Sequence, residues 1–156
     1  MATADTSMKI TQGFGLRIKN LRMAAQLNKT EFSRIVLNVS STRRLTALES
    51  EAGMPTAAEL KSIAQLSGVP ESWIARGTYR YAANDILDIM GIGSRIRKAR
   101  QQRGITMNAL SRNIKLGNTS QNIRRLEIEV HSPRVHTLKR IAKELKVPFR
   151  SLAFGS

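Results

Sequence analysis

Four side chains within TSQNIRRLEIE (119–129) have the chemistry for recognition: Ser120, Gln121, Arg124 and Arg125. Wound as a helix, at about 100° per residue, this run sends Ile123 and Leu126 to one side and those four to the other. A glutamine amide can pair bidentately with adenine, and an arginine fork with guanine. A short hydroxyl can reach a base edge or a phosphate. A cruder version of the run, STRRLTALESE (41–51), sits upstream. Taken alone, such a polar face equally describes a solvated helix surface. Catalytic chemistry finds less to work with. His131 and His136 are five residues apart, with no Cys in the chain and no neighbouring carboxylate cluster, so no metal site is expected. Gly91-Ile92-Gly93 is too short for a phosphate-cradling loop, and no nucleophile motif is present. The expectation is no enzyme, no cofactor and no small-molecule ligand.

The elements that must position these residues come in duplicate. Shifted by 78 residues, the chain aligns with itself without a gap. GLRIKNLR (15–22) falls on GSRIRKAR (93–100), and LTALESE (45–51) on IRRLEIE (123–129). ELKSIAQLSGVP (59–70) falls on TLKRIAKELKVP (137–148). Such a repeat implies two copies of one unit. Helical periodicity runs through both. In the second, Ile96 and Ala99 mark a helix stopped by Gly104, and Thr106 caps another that buries Leu110 and Ile114. Lys115–Asn118 is a turn, and Thr119 or Ser120 caps a third helix through Glu127. A loop with Pro133 precedes a fourth helix carrying Leu138, Ile141, Ala142 and Leu145. A short fifth helix or turn follows Pro148. The first unit repeats the plan with Asn28 as cap. The expected fold is all-α, with two tandem domains of about five helices each. The boundaries read as a flexible arm over 1–12, a first domain over 13–75, a connector over 76–91 and a second domain over 92–156. In the connector, Asn84 or Asp85 would cap a short helix exposing Ile86, Leu87, Ile89 and Met90.

Charge separates the copies. The whole chain carries Lys+Arg 26 against Asp+Glu 11, a net +15. Residues 12–74 hold eight Lys/Arg and five Glu, a net +3, whereas 92–156 hold fifteen Lys/Arg and three Glu, a net +12. A pI near 11.4 points first to nucleic acid and second to an anionic surface. No apolar run approaches the roughly 20 residues of a membrane span, and MATADTSMKITQ lacks a secretory layout. The expected setting is cytoplasmic. With aromatics at 4%, stacking platforms for RNA are scarce.

The order G-x-R-I-R-x-x-R, T-x-x-x-L-S, I-R-R-L-E, a Pro-containing loop and T-L-x-x-I-A-x-x-L-x-V resembles the lambda-repressor-like helix-turn-helix family of Cro/CI or Xre type. The resemblance covers about 92–152, and less tightly 14–74. It implies a sequence-specific regulator, by expectation a repressor, whose third helix enters the major groove of a double-stranded DNA operator. By position it assigns base reading to Thr42, Arg43, Arg44 and Ala47 in the first unit. In the second it assigns Ser120, Gln121, Asn122, Arg124 and Arg125. Phosphate contacts fall on Asn28, Lys29, Ser41, Thr106 and Thr119. Arg95, Lys115, Asn118, His131, Ser132 and Arg134 join them because they flank the third helix or its following loop. Arg140, Lys143 and Lys146 read as a solvated face of the fourth helix. The resemblance also implies structural ion pairs Arg22–Glu49 and Arg100–Glu127. From Thr106 to Glu127 the chain is two residues longer than the usual pattern, so the second helix or the turn must be extended.

The first unit has Thr46 and Ala47 where the second has Arg124 and Arg125. It therefore reads either as a weaker second DNA-binding unit or as a protein-contact module, with Trp73 and the Tyr79/Tyr81 region as apolar surface. The 17-residue stretch ARGTYRYAANDILDIMG (75–91) spans roughly 25 Å if helical and roughly 55 Å if extended. Half-sites one turn apart need about 34 Å. A single-chain pseudo-dimer and a homodimer both remain open. So does a protein-interaction role, such as antitoxin or antiactivator, with DNA binding secondary.

Overall fold

Apolar residues recur three and four apart in VHTLKRIAKEL, so Val135, Leu138, Ile141, Ala142 and Leu145 share one helical face, and all five are buried. The same periodicity makes ten helices in the computed structural model, which describes residues 9–117 and 119–155. In chain order they are α1 (Phe14–Ala24), α2 (Lys29–Ile35), α3 (Arg43–Glu49), α4 (Ala57–Ser67) and α5 (Glu71–Arg76). Then come α6 (Ile92–Gln102), α7 (Met107–Asn113), α8 (Gln121–Glu127), α9 (Val135–Leu145) and α10 (Phe149–Phe154). Apart from one isolated bridge, no strand occurs among the described residues. The fold is all-α.

The chain divides into two compact units, Met1–Tyr79 and Arg80–Ser156. Every helix boundary in the first recurs 78 residues later in the second. In the first, α1 packs on α3 and α5, α2 on α3, and α4 on α5. In the second, α6 packs on α8, α9 and α10, and α7 packs on α8 and α9. Ile96, Leu110, Ile123, Leu138, Ile141 and Leu145 fill that second core. Each such side chain contributes about 1.5–3 kcal/mol on full burial.

Local chemistry sets the helix starts. The Asn28 side chain accepts from the Glu31 N–H at 2.9 Å, and the Glu31 carboxylate accepts from the Asn28 N–H at 2.8 Å. Thr106 Oγ1 accepts from the Ala109 N–H at 3.1 Å. Helix α8 starts differently from expectation. It begins at Gln121, and Ser120 before it already has helical backbone (φ −68, ψ −13). A capping side chain needs extended backbone, so the Ser120 hydroxyl makes no cap bond. Helix α7 ends at Asn113, and residues 114–120 make the passage to α8.

Two expectations are corrected. The connector forms no helix of its own: α5 ends at Arg76, and residues 77–91 are non-helical. Residues 80–91 instead belong to the second unit, lying along the segment that leads into α9. Ile86 bridges Arg134, Leu87 N–H donates to Pro133 O at 2.8 Å, Val135 N–H to Asp85 O at 2.9 Å, and His136 N–H to Ala83 O at 3.0 Å. Leu87 and Ile89 are buried and only Ile86 projects, so burial and cross-chain bonding displaced the helix. The arm is also partly tied down. Its residues 1–8 lie outside the described residues, but Thr11 N–H donates to Ala75 O at 2.9 Å.

Gly15 and Gly93 allow close helix approach. A Cβ at Gly15 would sit 2.5 Å from Glu49 O and 2.7 Å from Leu48 O, and one at Gly93 would overlap Leu126 O and Glu127 O. Gly93→Ala should therefore cost about 1–3 kcal/mol by overpacking. Ser94→Ala, at the exposed neighbour, should stay within about 0.5 kcal/mol. Urea unfolding of both variants checks the contrast.

Candidate nucleic-acid interface

Helix α8 is fixed from its inner side. Arg100 Nε lies 2.5 Å from Glu127 Oε1, and Arg100 Nη2 lies 3.1 Å from Glu127 Oε2. A third guanidinium donor, Nη1, reaches Ile105 O at 3.0 Å. The hydrogen bonds that Arg100 donates to Glu127 raise its pKa above the ordinary value, against the opposing effect of burial. This pair joins α6 to α8, with Glu127 buried. Next to it, Glu129 Oε1 accepts from the Gly93 N–H at 3.0 Å. The first unit builds the same harness. Arg22 meets Glu49 at 2.6 and 3.3 Å and donates to Leu27 O at 3.1 Å, while Glu51 Oε1 accepts from Gly13 and Gly15 N–H groups.

The turn ahead of α8 is held by two side chains. Ser111 Oγ donates to Gly117 O at 3.0 Å, and Asn122 Nδ2 donates to Leu116 O at 2.7 Å. Thus Asn122, expected to read bases, is spent on the turn. What remains facing outward is Gln121, Arg124 and Arg125, all exposed, with half-buried Ser120 at the start. Among the described residues the Gln121, Arg124 and Arg125 side chains make no hydrogen bond or ion pair. Thr119 and His131 are exposed beside them. Ile128 and Val130, 57% and 61% exposed, continue the face past the helix end, which the sequence pattern did not flag.

Several expected phosphate contacts turn out to be internal ties. Arg95 donates to Leu152 O and Ala153 O at 2.7 Å each and to Met90 O at 3.1 Å, closing the end of α10. Burial lowers its pKa to about 10, an effect that Glu129 partly offsets. Arg17 does the same at Ile74 O and Ala75 O in the first unit. Arg95, expected to flank the third helix, instead ends its guanidinium on carbonyls of α10 and of Met90. Ser132 Oγ donates to Asp88 Oδ1 at 3.0 Å, and Arg134 Nη1 reaches Asn84 O at 3.4 Å while staying exposed. Asn118 lies outside the described residues.

In the first unit the outward residues of α3 are Arg43 and Thr46. Arg44 turns away to Glu59 at 2.7 and 2.8 Å and to Met54 O at 2.7 Å, so it clasps α3 to α4 rather than facing outward with Arg43. Lys29 Nζ lies 3.3 Å from Thr46 Oγ1, Ser41 Oγ accepts from the Arg43 N–H at 3.2 Å, and Thr42 sits half-buried at the helix start. Val39, Ser41, Arg43, Arg44 and Ala47 line a shallow depression of about 480 Å³. Trp73, expected as apolar surface, is buried.

Helix α7, the turn after it and α8 with its outward polar face fall inside the one stretch that a comparison with known families picks out. A helix-turn-helix family model matches residues 96–152. The matched segment runs from within α6 to within α10 and contains α7, α8 and α9 entire. No curated protein and no solved structure matches the chain. No helix among the described residues is long and apolar enough to cross a membrane.

Within the helix-turn-helix segment the buried pair gives a direct test. Glu127→Ala should cost about 3–5 kcal/mol by stranding Arg100. An Arg100→Leu/Glu127→Leu double variant should recover part of that loss in chemical denaturation.

Proposed function

We propose that the protein is a sequence-specific double-stranded DNA-binding transcriptional regulator, with α8 in the major groove. The observation that carries this reading is the outward Gln121, Arg124 and Arg125 face on a helix whose only carboxylate is turned inward to Arg100. Helix-turn-helix geometry presents its second helix to the groove. The matched segment lies within residues 92–156, which carry net +12, and phosphate neutralisation supplies much of the affinity of such proteins. Thr106, Thr119, His131 and Arg134 are the backbone contacts this reading retains beside α8 in the second unit. Arg95 and Asn122 are assigned to structure.

The first unit, with the same helix register, acts in this reading as a second copy of the domain. Arg43 and Thr42 address bases, and Asn28, Lys29 and Ser41 address the backbone. Its net +3 makes it the weaker half, so one chain serves as a pseudo-dimer across two half-sites. Repression follows from occupancy of an operator in the cytoplasm. A second reading, protein contact by the first unit in the manner of an antitoxin or antiactivator, is favoured by one feature. The depression beside Val39 and Ala47 offers apolar surface where the second unit bears Arg125.

Selection of bound sequences from random duplexes should return a motif. Arg125→Ala should relax base preference at one position and weaken binding there by about 1–3 kcal/mol. Equal weakening on every sequence would remove Arg125 from base reading. A selected motif with a single half-site would assign the first unit to protein contact.

A further inference from the structure

The second unit carries more positive charge than α8 and its flanks display. Between the C-terminal end of α7 and the last turns of α9 lies a cleft of about 510 Å³ into which Lys115, Arg140, Lys143 and Lys146 converge. Its carboxylate, Glu144, accepts a hydrogen bond from Asn113 Nδ2 at 2.7 Å and so stays on the cleft wall. None of the lining residues comes from α8.

The repeat supplies an internal control. At the positions of Lys115, Arg140, Lys143 and Lys146 the first unit has Leu37, Ser62, Gln65 and Gly68. The helices have the same boundaries in both, so the framework does not call for cations there. Two of the four also hold unfavourable backbone. Lys115 and Lys146 adopt φ 57 and φ 53, a left-handed conformation that suits glycine, and the first unit places Gly68 (φ 74) at the Lys146 position. Glycine would fit these two positions more easily than lysine.

Building on the DNA-binding reading, we infer that this cleft is a second phosphate-backbone site, separate from the reading helix. Four cations around a concave space match the closely spaced charges of a phosphodiester chain. The phosphates come either from the flank of the operator duplex, bent toward α9, or from a second duplex.

The test uses the full chain carrying Arg140→Ser, Lys143→Gln and Lys146→Gly, the residues that the first unit has already shown to suit this framework. Binding to a short random-sequence duplex is followed against salt. The slope of log affinity on log salt should become shallower by about 2 to 3, while the base preference of the selected motif is kept. Stoichiometric titration of the unaltered chain separates the sources. One duplex per chain with an operator bend lost in the triple variant means the flank, and two duplexes falling to one mean bridging. A salt slope equal to that of the unaltered chain overturns the cleft site and leaves the reading helix standing. So does loss of binding to a polyglutamate peptide with duplex binding unchanged, which would make the cleft a protein site. Absence of duplex binding by the unaltered chain would instead overturn the DNA-binding reading itself.

Discussion

The arrangement rests on one bidentate arginine–glutamate contact, made once in each unit. Arg22 and Arg100 each grip a carboxylate on the last residue of the third helix and a carbonyl beyond the first helix. Breaking such a pair on one side strands a buried charge. With the carboxylate held inward, the rotation of α8 about its axis is set. That rotation decides which side chains reach solvent. Gly93 works in the same direction by letting the α6 backbone lie against the last carbonyls of α8. A polar face on a loosely held seven-residue helix would have little directional meaning, since helices this short are marginal alone.

On this shared frame the two units have diverged at their surfaces. The inner devices match residue for residue, from Arg17 and Arg95 at the helix ends to Glu51 and Glu129 at the helix starts. The turns do not. Ser111 gives its hydroxyl hydrogen to Gly117 O, whereas the buried Ser33 hydroxyl has no partner among the described residues. Asn122 secures the second turn, and its counterpart Arg44 has gone to Glu59. The approach to α8 is thus better bonded than the approach to α3. An unsatisfied buried hydroxyl costs free energy, so the first unit keeps a softer entry to its third helix.

Much of the frame was legible because repetition and periodicity are signals of many residues acting together. Fold class and the core positions of α9 follow from spacing, and the Asn28 and Thr106 caps from local chemistry. Individual polar roles were harder to read. Arg95, Asn122 and Arg44 have the residue types of nucleic-acid contacts, but each finds a carbonyl or carboxylate inside the unit. Sequence spacing places a Cα on a face; it does not say where a long flexible stem ends. The 80–91 stretch misled for a related reason. Ile86, Leu87 and Ile89 fit a short amphipathic helix, yet the partners that satisfied their backbone lie some fifty residues away in the chain, at 133–136.

That pairing ties the incoming polypeptide to a particular place. The extended stretch from Ala83 to Leu87 is stitched to Pro133 in the loop after α8 and to Val135 and His136 in the first turn of α9. Tension on the backbone at Arg80 would be borne first by these stitches rather than by the helical core. The stretch also supplies carbonyls to the first N–H groups of α9, which no helical partner can satisfy.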